Sequence, residues 1–535
     1  MVSLAVHPWR TAGTSYGEGW GRQLVTAQVW RWLSGQADWG RADLLAAPTG
    51  QAFWPVDPVL QLLSAPLAAL TDTPTALLAA LWLLLSTAGL GPTLLAVRLG
   101  ARWWAAPLAG LLVQLSPFVV DHAADVVLEV LAFGPLAWVA ASLHAAWERP
   151  SRRALLGVGV STAVLAGISP YFAIYAALGA ACAVAWRPPS GLIKIAGAGA
   201  LGCLLALAPL LATEGGPGGR LTAGSGDAGY ALIPGDMLRF EEGRPVPVER
   251  RDLPRLQDHR RPAPWSPPRE HLPGGTALAL AGLLGLGSRR ARPWVGLGLL
   301  AVVLGPGPGL LARSLGWRAV PLEGVLGRLL ELTPLGPVLG NPVRLLTPWV
   351  LLAAVGGAVA LRGRVRLALG LVALLLALRA GLPRLPLAAA WRPGPLPPAE
   401  LVPAGALSIY PSGDPPWWHP AVGPKETLYI AAQLGTPTTG DYGRRHLPAD
   451  RELLLAAAMA SGGILARDAL RGGLPPQEPP WTGSAGLLVL EDRLAAAERE
   501  QLTAWLEQRA ERRWKGSRIS LWVPRTPPPV PEAAP

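Results

Sequence analysis

Three groups of side chains in this 535-residue chain have the types and spacing to do chemistry. In the first, Glu18, Asp38, Asp43 and Asp57 are interspersed with Trp9, Trp20, Trp30, Trp32, Trp39 and Trp54. Carboxylates beside a wide apolar platform suit a reaction on a lipid-borne substrate, with one of them taking the proton from an acceptor hydroxyl. The same composition also suits solvated or helix-capping acids among tryptophans that only anchor the chain. The second group is Asp121, His122, Asp125 and Glu129. Asp125 and Glu129 are four residues apart, which puts them on one helical face about a turn inside an apolar run. An ionisable residue at such a depth marks a functional site by default, and this pair would share a proton or bind a cation. The alternative is a solvated loop with one carboxylate at the boundary. The third group is Gly340-Asn341-Pro342-Val343-Arg344, just ahead of another apolar run. There Arg344 can grip a lipid phosphate through its planar fork, or simply snorkel to the interface. No phosphate-cradling glycine loop, zinc helix motif or nucleophile elbow accompanies these groups. No spacing supports a metal or other cofactor, so none is expected; a divalent cation has no motif behind it.

The groups lie beside apolar runs, and those runs are what must position them. Hydrophobic residues make up 51% of the chain and charged residues 15%, too little charge for a soluble protein of this size. The formal net charge of +12 is concentrated in arginine-rich turns at Arg98/Arg102, Arg149/Arg152/Arg153, Arg187/Lys194, Arg289/Arg290/Arg292 and Arg362/Arg364/Arg366. These fall at every second connection, the positive-inside pattern of a polytopic membrane protein. The basic balance therefore points to membrane lipid and not to nucleic acid, for which no motif is present. Cys182 and Cys203 both lie in apolar runs, without metal-thiolate spacing or an expected disulfide. The 23 tryptophans outnumber tyrosine and phenylalanine together, as befits membrane–water interfaces.

Runs near 74–97, 103–120, 126–147, 154–168, 170–186, 192–212, 275–287, 294–312, 345–361 and 366–382 approach the ~20 apolar residues that cross a hydrocarbon core. They predict a mainly α, polytopic membrane domain over 74–382 with about ten spans, the 154–186 run being broken at Ser169-Pro170. With the arginine turns in the cytoplasm, the domain belongs in the inner membrane. Loops 213–274 and 313–344 and the tail then face outward, as does a first loop, 1–73. Within that loop, residues 22–34 are expected to lie flat on the membrane. A chain that starts outside carries the further expectation of a transmembrane helix ahead of Met1. Beyond a Pro-rich linker, 383–405, the tail reads as a periplasmic α/β domain over 406–525. Its expected strands are Ala406–Tyr410, Leu487–Leu490 and Arg518–Val523, with an amphipathic helix over Arg493–Trp514. A Pro-rich end, 526–535, follows.

Taken in order, these segments resemble the GT-C glycosyltransferase superfamily, in particular its YfhO-like bacterial branch. Gly17-Glu18 stands where that branch has an acidic residue after its first helix. Ala47-Pro48-Thr49-Gly50 is similar to its first-loop motif, and Leu115-Ser116-Pro117-Phe118 to a helix-end motif. Gly134-Pro135-Leu136, Leu304-Gly305-Pro306, Leu332-Thr333-Pro334 and Asn341-Pro342-Val343-Arg344 follow in the same order. In the tail, the stretch from Gln433 to Arg444 resembles another family motif but lacks its histidine. Asn341 replaces a family arginine, and Glu18 stands for the commoner aspartate. The resemblance implies transfer of a sugar from a polyprenyl-phosphate donor to a cell-envelope acceptor on the non-cytoplasmic face. Glu18 would be the acceptor-activating base and Arg344 would hold the donor phosphate, with Asp121, His122, Asp125 and Glu129 as further substrate-binding candidates. The rival reading is a non-catalytic multi-pass protein that transports polyprenyl lipids or assists polysaccharide assembly; few charges lie deep in the spans, which favours surface chemistry.

Overall fold

The computed structural model describes residues 17–44, 51–52, 54–55, 57–116, 119, 123, 128–186, 188–214, 274–304, 346–361, 367, 395–410, 426–437, 485–491 and 496–525. The described part is mostly helical. Helix α1 (Gly17–Leu33) leads through a two-stranded hairpin, β1 (Arg41–Ala42) and β2 (Gln51–Ala52), to α2 (Pro58–Leu70) and α3 (Thr73–Arg98). Asp72 starts α3 by accepting the Thr75 N–H at 2.6 Å, a standard N-cap that satisfies one orphan donor. Next come α4 (Ala106–Gln114), a 3-10 turn at Leu128–Leu131, α5 (Phe133–Glu148), α6 (Arg152–Ile168), α7 (Pro170–Trp186) and α8 (Leu192–Glu214). Then α9 (Gly274–Gly287), α10 (Arg292–Leu304) and α11 (Leu346–Ala360) complete the described bundle.

A helix thus lies in each expected run from 74–97 to 345–361; the 366–382 run lies outside the described residues apart from 367. Among the described helices, α3 and the Leu192–Pro209 part of α8 are long and apolar enough to cross a membrane alone, while α2, α7 and most of α11 are shorter apolar helices. The principal core gathers α3, α4, α5, α7 and α11, with Phe133 and Phe172 meeting edge to face at 5.7 Å. Close approaches between helices depend on glycine. A Cβ on Gly91 would meet the Gly134 Cα at 2.7 Å, so α3 and α5 touch backbone to backbone. A Cβ on Gly89 would meet Gln114 Nε2 at 2.5 Å, where that amide donates to the Leu85 carbonyl at 2.7 Å.

Among the described residues of the tail, four strands form a sheet in the order β3–β4–β6–β5, from β3 (Leu407–Tyr410), β4 (Gly486–Leu490), β5 (Ala510–Lys515) and β6 (Ile519–Pro524). β3 runs parallel to β4, and the other pairs are antiparallel. β4 is buried throughout. Its residues alternate between two faces, as the period of a strand requires. Leu487 and Val489 meet Leu502 and Leu506 of α13 (Ala496–Arg509), whereas Leu488 and Leu490 pack with Leu407 and with Ile430 of α12 (Glu426–Leu434).

Two elements depart from expectation. The helix expected over Arg493–Trp514 stops at Arg509, and the charged stretch from Ala510 to Lys515 becomes an edge strand paired with β6. Pairing with an apolar neighbour overrides local helical periodicity there, and the charges suit an exposed edge. The run at 126–147 is not one helix, because Leu128–Leu131 forms a 3-10 turn. Pro135 has no N–H to bond the Leu131 carbonyl, so a regular helix starts only at Phe133. Polar side chains of α1 are withdrawn into the fold. Arg22, Gln23, Thr26 and Gln28 are all buried, enclosed by packing against α2, α3 and α12.

Candidate functional site

The buried polar face of α1 brings together residues from three distant parts of the sequence. Arg22 is 2% exposed, Asp57 0% and Glu129 7%. Arg22 Nη1 lies 2.5 Å from Asp57 Oδ2, and Arg22 Nη2 donates to Glu129 Oε2. Asp57 is the residue before α2, with Pro58 opening the helix, yet its side chain makes no cap hydrogen bond. Its carboxylate instead accepts from Gln61 Nε2 at 3.3 and 3.2 Å. Gln61 in turn accepts from Thr26 Oγ1 at 2.8 Å. Arg22 and Thr26 are one helical turn apart, as are Asp57 and Gln61, so two neighbouring helix faces close the network through i,i+4 spacing. Glu129 enters from the 3-10 turn ahead of α5.

One guanidinium thus faces two carboxylates away from water. Burial pushes the Asp57 carboxyl up from 3.8 to about 6; Arg22 pulls it down, Glu129 adds to the rise, and the Gln61 hydrogen bond opposes it. Desolvation outweighs the ion pair, as it does for many charges removed from water. The Asp57 carboxyl is therefore held above the usual carboxylate range while the ion pairs keep α1 in one rotational setting.

A second ion pair is different in kind. Arg31 Nη2 meets Asp43 Oδ2 at 2.5 Å, with 27% and 36% of the two side chains exposed. It braces the β1–β2 hairpin against α1, aided by Trp32 Nε1 and Gln28 Nε2 donating to the Arg41 carbonyl at 2.7 and 3.1 Å. Trp32 stacks between Trp39 and Trp54, with ring centroids 5.7 and 5.9 Å away. Asp38 is exposed.

Of the residues singled out from sequence, Glu18 lies in the first turn of α1, four residues ahead of Arg22, and nothing further is described for its side chain. Glu129 pairs with Arg22 rather than with a neighbour on its own helix. Asp121, His122, Asp125 and Arg344 lie outside the described residues. Asp57 and Glu129, placed in separate clusters by the sequence, are joined here, and Arg22 joins them. Arg22, Thr26 and Gln61 were not singled out; the faint signal was their fourfold spacing from Glu18, Arg22 and Asp57. Among the described residues, no three metal-ligating side chains converge.

No protein-family model matches the sequence, and no curated protein matches it. In fold, the chain is similar to the cryo-EM structure of arabinofuranosyltransferase AftD from Mycobacteria, with a TM-score of 0.51 and 17% identity over 92% of this chain and 36% of that one. This chain thus spans about a third of AftD. It is also similar to crystal structures of ArnT from Cupriavidus metallidurans. For the apo state the TM-score is 0.41, at 12% identity over 97% of this chain and 96% of that one. For the state bound to undecaprenyl phosphate it is 0.42, with the same identity and coverage. At 17% identity the likeness to AftD is one of fold. These likenesses do not single out the YfhO-like branch.

Proposed function

We propose that this chain is an integral membrane glycosyltransferase that moves a sugar from a polyprenyl-phosphate donor to a cell-envelope acceptor at the outer face of the inner membrane. The observation that carries the reading is the buried Arg22–Asp57–Glu129 cluster beneath α1, on a GT-C-like fold. Three ionisable groups withdrawn from water are costly to fold around, and such groups concentrate at functional sites. In this proposal the cluster holds α1 while Glu18, one turn away, meets the acceptor. The Glu18 carboxylate takes the hydroxyl proton as the acceptor oxygen bonds to the anomeric carbon. The bond from that carbon to the phosphate oxygen breaks, and its electron pair leaves with the polyprenyl phosphate. Arg344 steadies that phosphate through two parallel hydrogen bonds. The same reading places about ten spans in the membrane and the tail sheet outside the cytoplasm.

The test is sugar release from polyprenyl-phosphate donors in proteoliposomes. Glu18→Gln keeps the shape of the side chain and should lower turnover by about 10²–10⁴-fold. Arg344→Lys should raise the donor KM more than its kept charge suggests, because the planar fork is gone. Parent-like turnover in Glu18→Gln removes Glu18 as the base. A parent inactive with every donor tried favours the non-catalytic transporter or assembly reading.

A further inference from the structure

Helix α12 belongs to the tail by sequence but is shared by two cores. Ile430 is fully buried among Leu407, Leu488, Leu490, Ile519 and Leu521 of the sheet. The next residue, Ala431, is buried in a different cluster, among Leu24, Val25, Val29 and Trp32 of α1. Two residues further, Gln433 Nε2 donates to Thr73 Oγ1 at 2.8 Å and to Gln23 Oε1 at 3.3 Å, while Thr73 Oγ1 donates to Gln23 Oε1 at 3.0 Å. Gln23 is 0% exposed and directly follows Arg22 in α1. Just past its C-terminal end the chain is tied to the sheet, since the Leu407 N–H donates to the Pro437 carbonyl at 2.9 Å.

We propose that α12 is a strut through which the tail sheet sets the position of α1, with Ala431 and Gln433 as positioning residues for the buried ion cluster. A tail that served only as an appended domain would have no need to place a fully buried alanine in the core of the first helix. Nor would it donate to the buried side-chain oxygen of a glutamine beside the cluster's arginine. Contiguous packing and hydrogen bonds of this kind can carry coupling between distant parts of a fold, and coupling is established by measurement. That the element so positioned is catalytic rests on the transferase reading above; the mechanical coupling does not.

Hydrogen exchange of the full chain in lipid nanodiscs tests it. Gln433→Ala and Thr73→Val each remove part of one polar triangle, and an ordinary hydrogen bond is worth roughly 2–12-fold in an equilibrium. Both variants should speed exchange across residues 22–33 by about that factor, with β4 and β6 unchanged, and the double variant should do no more than the stronger single one. Ala431→Leu, which adds bulk where α12 meets α1, should do the same. Glu511→Ala on the exposed edge strand is the control and should change nothing in α1. Should Gln433→Ala fold poorly, Gln433→Glu replaces the donor with an acceptor of the same shape. In the transfer assay, Gln433→Ala should lower kcat and leave the donor KM unchanged. Loosening confined to residues 426–434, or strictly additive effects of Gln433→Ala and Thr73→Val, overturns the strut. An inactive parent enzyme would instead sink the transferase reading and leave the exchange result to decide this one.

Discussion

Replacing Arg22 with methionine keeps the apolar stem and removes the charge. Asp57 and Glu129 are then left buried with no cation between them, and breaking a buried pair in this way costs about 3–5 kcal/mol. Asp57→Asn should behave in the opposite sense. The folded protein holds the Asp57 proton to about pH 6, whereas the free carboxyl releases it near 3.8. Between those values the folded state binds more protons than the unfolded chain, so this group's contribution to stability is lost as the pH rises. By pH 8 the gap corresponds to about 3 kcal/mol. Asparagine supplies a permanently neutral side chain and escapes that loss. Thermal unfolding in detergent, followed by fluorescence-detected size exclusion at pH 5 and pH 8, reads both effects. Arg22→Met should melt well below the parent at pH 8, and by less at pH 5, where carboxylates take up protons. The melting temperature of Asp57→Asn, relative to the parent, should rise from pH 5 to pH 8. The reasoning fails if Asp57→Asn loses as much as Arg22→Met at pH 8, or if Arg22→Met melts with the parent there.

Other outcomes are expected at sites that the structure treats differently. Arg31→Ala breaks an ion pair that is about a third exposed; it should cost under about 1 kcal/mol and melt close to the parent. On the proposed topology, with all five arginine-rich turns in the cytoplasm, a reporter fused after Pro535 that works only when exported should be active, and activity of a cytoplasm-only reporter there would overturn the loop assignment.

Helix positions were readable because long apolar runs are a strong local signal. Ser169-Pro170 was correctly read as a break: α6 ends at Ile168 and α7 begins at Pro170, as a helix normally yields to a proline. Pro135 was an equally local signal for the late start of α5, but the apolar composition of 126–132 masked it. β5 was not readable at all, because Glu511, Arg512 and Arg513 resemble the last turn of a solvated helix and become a strand only beside β6. The site was half legible. Asp57 and Glu129 stood out as acids near membrane segments, but their partner did not. A single arginine in a helix with mixed polarity looks like a solvated residue, and its contact with Glu129 spans 107 positions. Burial of Gln23, Thr26 and Gln28 is likewise a tertiary fact, created by α2, α3 and α12 closing over a face that composition marks as exposed.

That closure explains why α1 carries so many polar residues inside. Apolar contacts are non-directional, so by themselves they fix the rotation of a helix less sharply than hydrogen bonds do. A slip of one position in α1 would instead present Gly21 or Gln23 to Asp57 and Glu129, leaving two carboxylates buried without their cation. It would also separate Thr26 from Gln61 and Gln23 from Thr73. Each loss leaves a buried polar group unmade, and such networks favour a single arrangement for that reason. The network therefore specifies the rotation of α1, and rotation decides where the residue at position 18 is presented. On the proposed chemistry, a base must lie within hydrogen-bond reach of its proton. A helix fixed by a charge cluster on one side and by the tail strut on another meets that demand, whereas a helix floating on the membrane surface would not.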